Sequence, residues 1–369
     1  MPNLIFILVD GLRNDRLTIC HELIHLASDS YFFPNHITAA PYTLGSMFSI
    51  FSSIYPSKNG VDGYRAFLKF KKEKIKTLTQ YVKDAGYYTV AEVCHEIIPK
   101  QGFDVYNIYG ESEDLSERHV HLVRKMCKEK NPFFLYLHYI RIHDEVVKTV
   151  GKKYTDFDKE YFENYEINKT SYNSYAKKAD EYLKKVLDEI KKSNLLEDAI
   201  LVVASDHGVS NGERIGEKMY GSFLYDYTTK TFLILKVPGA SSKKIPVQVR
   251  SIDIMPTILE LLNIREDPKY MQMQGKSLSL CINGVENKDR IAFSETGGLN
   301  GPWPSPEKNN VFSIRYNNKK IIFNKTPKTW EFYDLKLDPQ EKNNLIDSTL
   351  PEIEQMKNLL KREMVRNML

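Results

Sequence analysis

Cysteine is scarce in this chain. The four that occur, Cys20, Cys94, Cys127 and Cys281, lie far apart and form no CxxC pair. That spacing excludes a zinc knuckle and a disulfide framework, and scattered thiols fit a reducing compartment. Long hydrophobic runs are missing too. No stretch approaches the ~18 consecutive apolar residues that a membrane span needs. The first apolar run, residues 4–9 (LIFILV), is short, lacks a basic flank and a small-residue cleavage site, and ends in Asp10. It reads as a buried strand rather than a signal peptide. The expectation is a soluble, cytoplasmic protein without a transmembrane segment. Charge of one sign is not in large excess either. Lys and Arg number 52 against 48 Asp and Glu, a net +4. No nucleic-acid-binding surface is expected, and the balance supports no more than a weak bias toward anionic substrates. What is present is length and apolar content: 369 residues, 42% hydrophobic, enough for two domains or one large domain with an appendage.

The apolar residues recur in two rhythms. Residues 4–9, 87–93, 133–139, 199–204 and 231–237 are short apolar runs rich in β-formers, as in strands covered on both faces. Between them, residues 77–85 have helical spacing. Residues 172–192 form a long amphipathic helix with Tyr175, Ala179, Tyr182, Leu183, Val186, Leu187 and Ile190 on one face. This alternation predicts an α/β fold with a mostly parallel central sheet and helices on both faces. After about residue 285 the rhythm changes. Residues 291–294, 311–316, 320–324 and 330–333 read as a small antiparallel sheet, followed by a terminal helix over 350–368. The expected division is a catalytic domain over 1–285 and a C-terminal subdomain over 286–369. Residues 147–170, charged and without period, read as an irregular insertion or a loop near the site.

Ligands of parallel sheets gather at the carboxyl ends of the strands, and that is where chemistry-bearing residues fall. Asp10 follows the first strand, and Asp206-His207-Gly208 follows the strand at 199–204. A carboxylate beside an imidazole offers two ligands to one cation, although Asp10 reads equally well as a helix cap. Thr43 stands before Leu44-Gly45-Ser46, where a small-residue loop runs into a helix start. Unpaired N–H groups and a partial positive charge there suit an anion, and a plain N-cap is the alternative.

In combination these segments resemble the sulfatase family, within the wider alkaline-phosphatase superfamily. Residues 2–13 (PNLIFILVDGLR), 43–61, 131–143 (NPFFLYLHYIRIH), 202–208 (VVASDHG), 249–262, 274–278 and 331–345 match its motifs in order. The resemblance implies Asp10, Asp206 and His207 as ligands of a divalent metal (Mn, Mg or Ca), with Thr43 both bound to it and acting as nucleophile. It implies His143 as the histidine that meets the substrate anion or the leaving group. His138 is read as structural. Arg13, Lys218 and Tyr220 are candidate substrate contacts.

The chain departs from the family pattern at points that bear on mechanism. Where many relatives carry the Cys or Ser of C/S-x-P-x-R, converted to formylglycine, this chain has Thr43, Gly45 and Met47. Thr cannot become formylglycine, so a sulfated Thr has no collapse to an aldehyde by which to release sulfate. A phosphorylated Thr can be attacked at phosphorus. Gly11 replaces a second Asp, and Tyr220 replaces a His of two-metal relatives, which points to one cation. The expected function is cleavage of phosphate mono- or diesters, or of phosphonate esters, through a covalent Thr43 intermediate, by a hydrolase or a transferase. The alternatives are a sulfuric ester hydrolase without formylglycine and an inactive sulfatase-like binding protein.

Overall fold

A computed structural model describes residues 1–64, 66–110, 113–297, 301–305 and 307–368. Nine strands form the central sheet: β1 (Asn3–Val9), β2 (Tyr31–Ile37), β3 (Tyr88–Val93), β4 (Val105–Ile108), β5 (Phe133–Tyr139), β6 (Ala199–Ala204), β7 (Lys230–Lys236), β8 (Lys243–Lys244) and β9 (Val249–Arg250). Their spatial order is β4-β3-β5-β1-β6-β7-β2-β8, with β9 also pairing β2. β1 sits in the middle and is parallel to both neighbours, with Leu8 opposite His138 on β5 and Ala204 on β6. Three consecutive parallel strands therefore deliver their carboxyl ends to one rim. The residues that make β1 and β6 apolar runs are almost wholly buried, because helices cover both faces of the sheet.

The sheet is mostly parallel, as the alternation predicts, but β7 runs antiparallel to both β6 and β2. The segment between β6 and β7 leaves the sheet at the site rim and re-enters there, so the next strand must run back. An apolar run carries no sign of its direction. β2 was not legible at all, because Pro34 and Asn35 break its period. The register shifts between Phe33 and His36, and the strand tolerates proline at that irregularity.

One group of helices packs around Tyr165–Lys192, which meets Leu115–Met126 and His21–Ser28. A second group holds Thr43–Ser52, Leu78–Asp84 and Ile254–Leu261. Thr43–Ser52 lies on the sheet through Phe51, whose ring meets Phe6, Phe134 and Tyr136. That contact aims the helix's amino end at the rim above β1. Residues 147–170 depart from the expected irregular loop. A π-turn over Val147–Gly151, the helix Lys159–Glu163 and the first turns of Tyr165–Lys192 occupy the segment. The first two are only five residues each, too short for a period to show in the sequence. They are held instead by tertiary bonds such as Tyr161 Oη to the Ser210 carbonyl, 3.1 Å.

The C-terminal sheet is antiparallel: β10 (Ala292–Thr296), β11 (Val311–Tyr316), β12 (Lys319–Asn324) and β13 (Thr329–Asp334), in that order. Phe293, Phe312, Ile321 and Phe332 pack with Ile353, Met356 and Leu360 of the helix Pro351–Met368, and with Ala39, Tyr55 and Ile252. A buried ion cluster adds a second tie. Lys320 on β12 pairs with Asp226, at 2.7 Å, and with Glu341, at 2.9 Å. Breaking a buried pair by removing one partner leaves an uncompensated charge. Lys320→Met should therefore lower the unfolding free energy by about 3 kcal/mol, read by urea denaturation.

Candidate active site

Asp10 follows β1 directly, and its backbone N–H still bonds the Tyr139 carbonyl, 3.0 Å. Asp206 and His207 follow β6 by two and three residues. All three are fully buried. Ligand atoms of Asp10, Asp206 and His207 all lie within 4.8 Å of one another. His207 Nε2 is 3.7 Å from Asp10 Oδ1 and 3.4 Å from Asp206 Oδ2.

The hydrogen bonds around this cluster fix which atoms are spare. Asp206 Oδ1 accepts from the backbone N–H groups of Gly11, 3.1 Å, and His207, 2.9 Å. Asp10 Oδ2 accepts from His138 Nε2, 3.0 Å, and Thr43 Oγ1, 3.2 Å. The other oxygen of each carboxylate, Asp10 Oδ1 and Asp206 Oδ2, is buried with no hydrogen-bond partner. The His207 Nδ1–H donates to the Gly208 carbonyl, 2.8 Å, so Nε2 presents a lone pair. Two orphaned carboxylate oxygens and one imidazole lone pair thus converge. Buried acceptors facing one another repel unless positive charge lies between them. The donor set, hard oxygens with one borderline nitrogen, fits a divalent cation.

The two acids sense this crowding differently. Burial raises Asp206, and the negative charge of Asp10 raises it further. Burial would also raise Asp10, but its hydrogen bond to His138 and the nearby charges of His143 and His138 outweigh that and hold it at about 2.

Thr43 opens the helix Thr43–Ser52, with Tyr42 extended at the cap position. Its hydroxyl lies 3.2 Å from His207 Nε2 as well as 3.2 Å from Asp10 Oδ2. The helix start is fastened to the motif it faces by Ser46 Oγ, which donates to the Asp206 carbonyl, 3.0 Å. Two glycines permit this closeness. Gly11 has φ +72°, and a Cβ there would approach Val209 to 3.2 Å. A second aspartate at position 11 would be strained, and the amide at that position already serves Asp206. A Cβ on Gly208 would fall 2.0 Å from the Tyr227 carbonyl.

His143 sits in the helix Arg141–Val146 just past β5. Its Nε2 is 2.5 Å from Tyr220 Oη, and the Tyr220 ring leans on His207 with centroids 4.6 Å apart. Burial disfavours the charged imidazole of His143, but Asp144, Asp10 and Asp206 together raise its pKa. Tyr220 therefore joins His143 to the cluster.

Two sequence candidates are engaged elsewhere. Lys218 Nζ donates to the carbonyls of Gly151, 3.0 Å, and Tyr154. Arg13 binds Asp15, Glu213 and the Val209 carbonyl. Neither cationic end contacts Thr43. His138, read from the sequence as structural, instead touches the cluster. Its Nδ1 bonds Tyr136 Oη, 2.9 Å, while Nε2 bonds Asp10. The parallel register that sets Leu8 beside His138 was the signal that strand prediction without pairing could not supply.

Comparison with known proteins gives the family. The family model described as Sulfatase matches residues 2–264. The chain belongs to the sulfatase family. The model described as N-sulphoglucosamine sulphohydrolase, C-terminal, matches residues 217–368. A curated sulfatase of Formosa agariphila is 25% identical over 92% of this sulfatase-family chain and 82% of its own length. A lipoteichoic acid synthase of Staphylococcus saprophyticus is 27% identical over 64% of this chain and 33% of its own length. The chain thus matches about a third of that synthase. Among solved structures, a 2-O GAG sulfatase superposes with a TM-score of 0.80 at 18% identity, covering 99% of this chain and 92% of that one. The phosphonate monoester hydrolase of Agrobacterium radiobacter gives 0.75 at 15%, covering 99% and 95%. Both share the fold. Sulfatase-family proteins generally bind a divalent metal, and the Asp10–Asp206–His207 group is a possible site for one. Among the described residues no helix is long and apolar enough to cross a membrane.

Metal titration checks the site. Manganese, magnesium or calcium should raise the melting temperature of chelator-treated protein, and Asp206→Asn should abolish the rise. His138→Ala should weaken metal affinity roughly 10–100-fold, the usual cost of losing a group that orients a ligand. Calorimetric titration with each ion reads it.

Proposed function

We propose that this chain cleaves phosphate mono- or diesters, or phosphonate esters, at a single divalent cation through a covalent Thr43 intermediate. The observation that carries the proposal is the position of the Thr43 hydroxyl, 3.2 Å from both Asp10 Oδ2 and His207 Nε2. A nucleophile belongs within hydrogen-bond reach of the group that takes its proton.

Asp10, Asp206 and His207 would hold the cation. When bound, it supplies positive charge that favours the alkoxide form of an alcohol and neutralises the anion under attack. Thr43 is already oriented by the Asp10 carboxylate, which accepts its hydroxyl proton. The Thr43 oxygen forms a bond to phosphorus as the ester P–O bond breaks. His143, whose Nε2 is hydrogen-bonded to Tyr220 Oη beside the cluster, gives a proton to the departing oxygen. In the second half, the now neutral His143 takes the proton of the entering water or acceptor alcohol as its oxygen attacks the phosphorus of phosphothreonine, and the Thr43 oxygen leaves and regains its proton from Asp10. Hydrolase and transferase share every residue named here and differ in what enters at that step.

A sulfuric ester hydrolase acting without formylglycine is the second reading. It is favoured by the match of residues 217–368 to the C-terminal part of N-sulphoglucosamine sulphohydrolase. The sequence relatives include a lipoteichoic acid synthase and a sulfatase. The side chain at position 43 favours phosphorus, because a threonine ester can turn over only by attack at the transferred centre.

Assays with p-nitrophenyl phosphate, bis-p-nitrophenyl phosphate and p-nitrophenyl sulfate, each with manganese, magnesium or calcium, separate the readings. Turnover of a phosphate ester is expected, lost in Thr43→Ala and retained in Thr43→Ser, with phosphothreonine found by peptide mass spectrometry after acid quench. Turnover of the sulfate alone would favour the second reading. No turnover and no bound metal would make the chain a binding protein.

A further inference from the structure

Thr43 and the Asp10 cluster do not line one prominent cavity of the described residues. That cavity is a cleft of about 700 Å³, walled on one side by Arg13, Asn14, Arg214 and Lys230 and on the other by Arg315 and Lys342 of the C-terminal part. Arg13 backs onto Gly208, so the cleft lies behind the Asp206–His207 turn.

The acids and bases of its walls are not matched. Each carboxylate already has a cationic partner. Asp15 and Glu213 bind Arg13. Asp226 binds Arg315 and Lys320. Glu341 binds Lys320, and Glu166 binds Lys169. Three cations of the same walls have no carboxylate partner among the described residues. Arg214 donates only to the Glu341 carbonyl and lies over the Tyr225 ring, 4.5 Å from its centroid. Lys342 stands exposed at the rim. Lys230, half-buried at the start of β7, has neither a hydrogen bond nor an ion pair for its amine. Burial lowers the pKa of Lys230; the charges of Asp226 and Asp15 favour its ammonium, and those of Arg315 and Lys320 oppose it. A half-buried ammonium with no direct hydrogen bond or ion pair is unfavourable, and an entering anion would supply one.

We propose that this cleft is a second ligand site, which takes a tetrahedral oxyanion, sulfate or phosphate, on Lys230, Arg214 and Lys342. The oxyanion is either a free inorganic ion or a charged group of an extended substrate, and the cleft has room for a sugar ring as well as the ion. The site is independent of whether Thr43 is a nucleophile.

Isothermal titration of the full chain, with manganese present, against inorganic sulfate, inorganic phosphate and a sulfated heparin disaccharide tests the proposal. Lys230→Gln and Lys342→Gln are run in parallel, with melting temperatures as the folding control. One binding event should weaken roughly tenfold in Lys230→Gln, as loss of a charge-assisted bond predicts, and less in the rim variant Lys342→Gln. Whatever turnover of p-nitrophenyl esters the wild type shows should be retained in both. Weakening for the inorganic ions identifies a free-ion site, and weakening for the disaccharide alone identifies a remote contact for a charged substrate. Should Lys230→Gln fail to fold, Lys342→Gln carries the comparison. Isotherms unchanged from wild type in every folded variant overturn the proposal.

Discussion

Two buried carboxylate oxygens without a protein donor face the lone pair of His207 Nε2 at the end of β1, and the Thr43 hydroxyl, shared with Asp10, stands 3.2 Å from that lone pair. A chain that folded for stability alone would not collect three acceptors in a dry place, since each unpaired buried acceptor carries a desolvation cost. The cost is borne at one spot, and the surrounding structure is arranged to hold it there. Asp206 is pinned through its other oxygen by two backbone amides, and Asp10 through its other oxygen by His138 and Thr43. Such over-determined placement is how functional sites keep atoms in positions that relaxation would otherwise remove.

The fold supplies that rigidity through parallel pairing. β1 lies between β5 and β6, so residues 10, 138 and 206, which are remote in sequence, are fixed by ladder register to one rim. The nucleophile candidate comes from outside the sheet. Its helix is clamped by Phe51 against Phe6 and Tyr136 below and by Ser46 against the Asp206 carbonyl above. Packing and hydrogen bonding therefore act on the same helix from opposite ends, and the Thr43 hydroxyl has little freedom to leave Asp10.

What the sequence made legible follows from which interactions are local. Apolar runs ending in Asp10 and in Ser205-Asp206-His207 mark strand ends whatever the partner strand, and the C-terminal meander of short strands shows its own turns. His138 was opaque, because its contact with Asp10 exists only once β1 and β5 are in register. Lys218 misled for a related reason. Its place in the motif says nothing about the carbonyls of Gly151 and Tyr154, which capture the amine. β2 hid behind Pro34, and the helices of 147–163 hid because each is only five residues long.

The capture of Lys218 has a mechanical corollary. The amine ties the 151–154 stretch to the loop that carries Tyr220, and Tyr220 in turn leans on His207 and reaches His143. The insertion and the aromatic wall over the candidate site are thus braced as one piece. A different insertion between residues 147 and 163 would bear on Tyr220, and through its ring on His207, without replacing any residue of the acidic cluster.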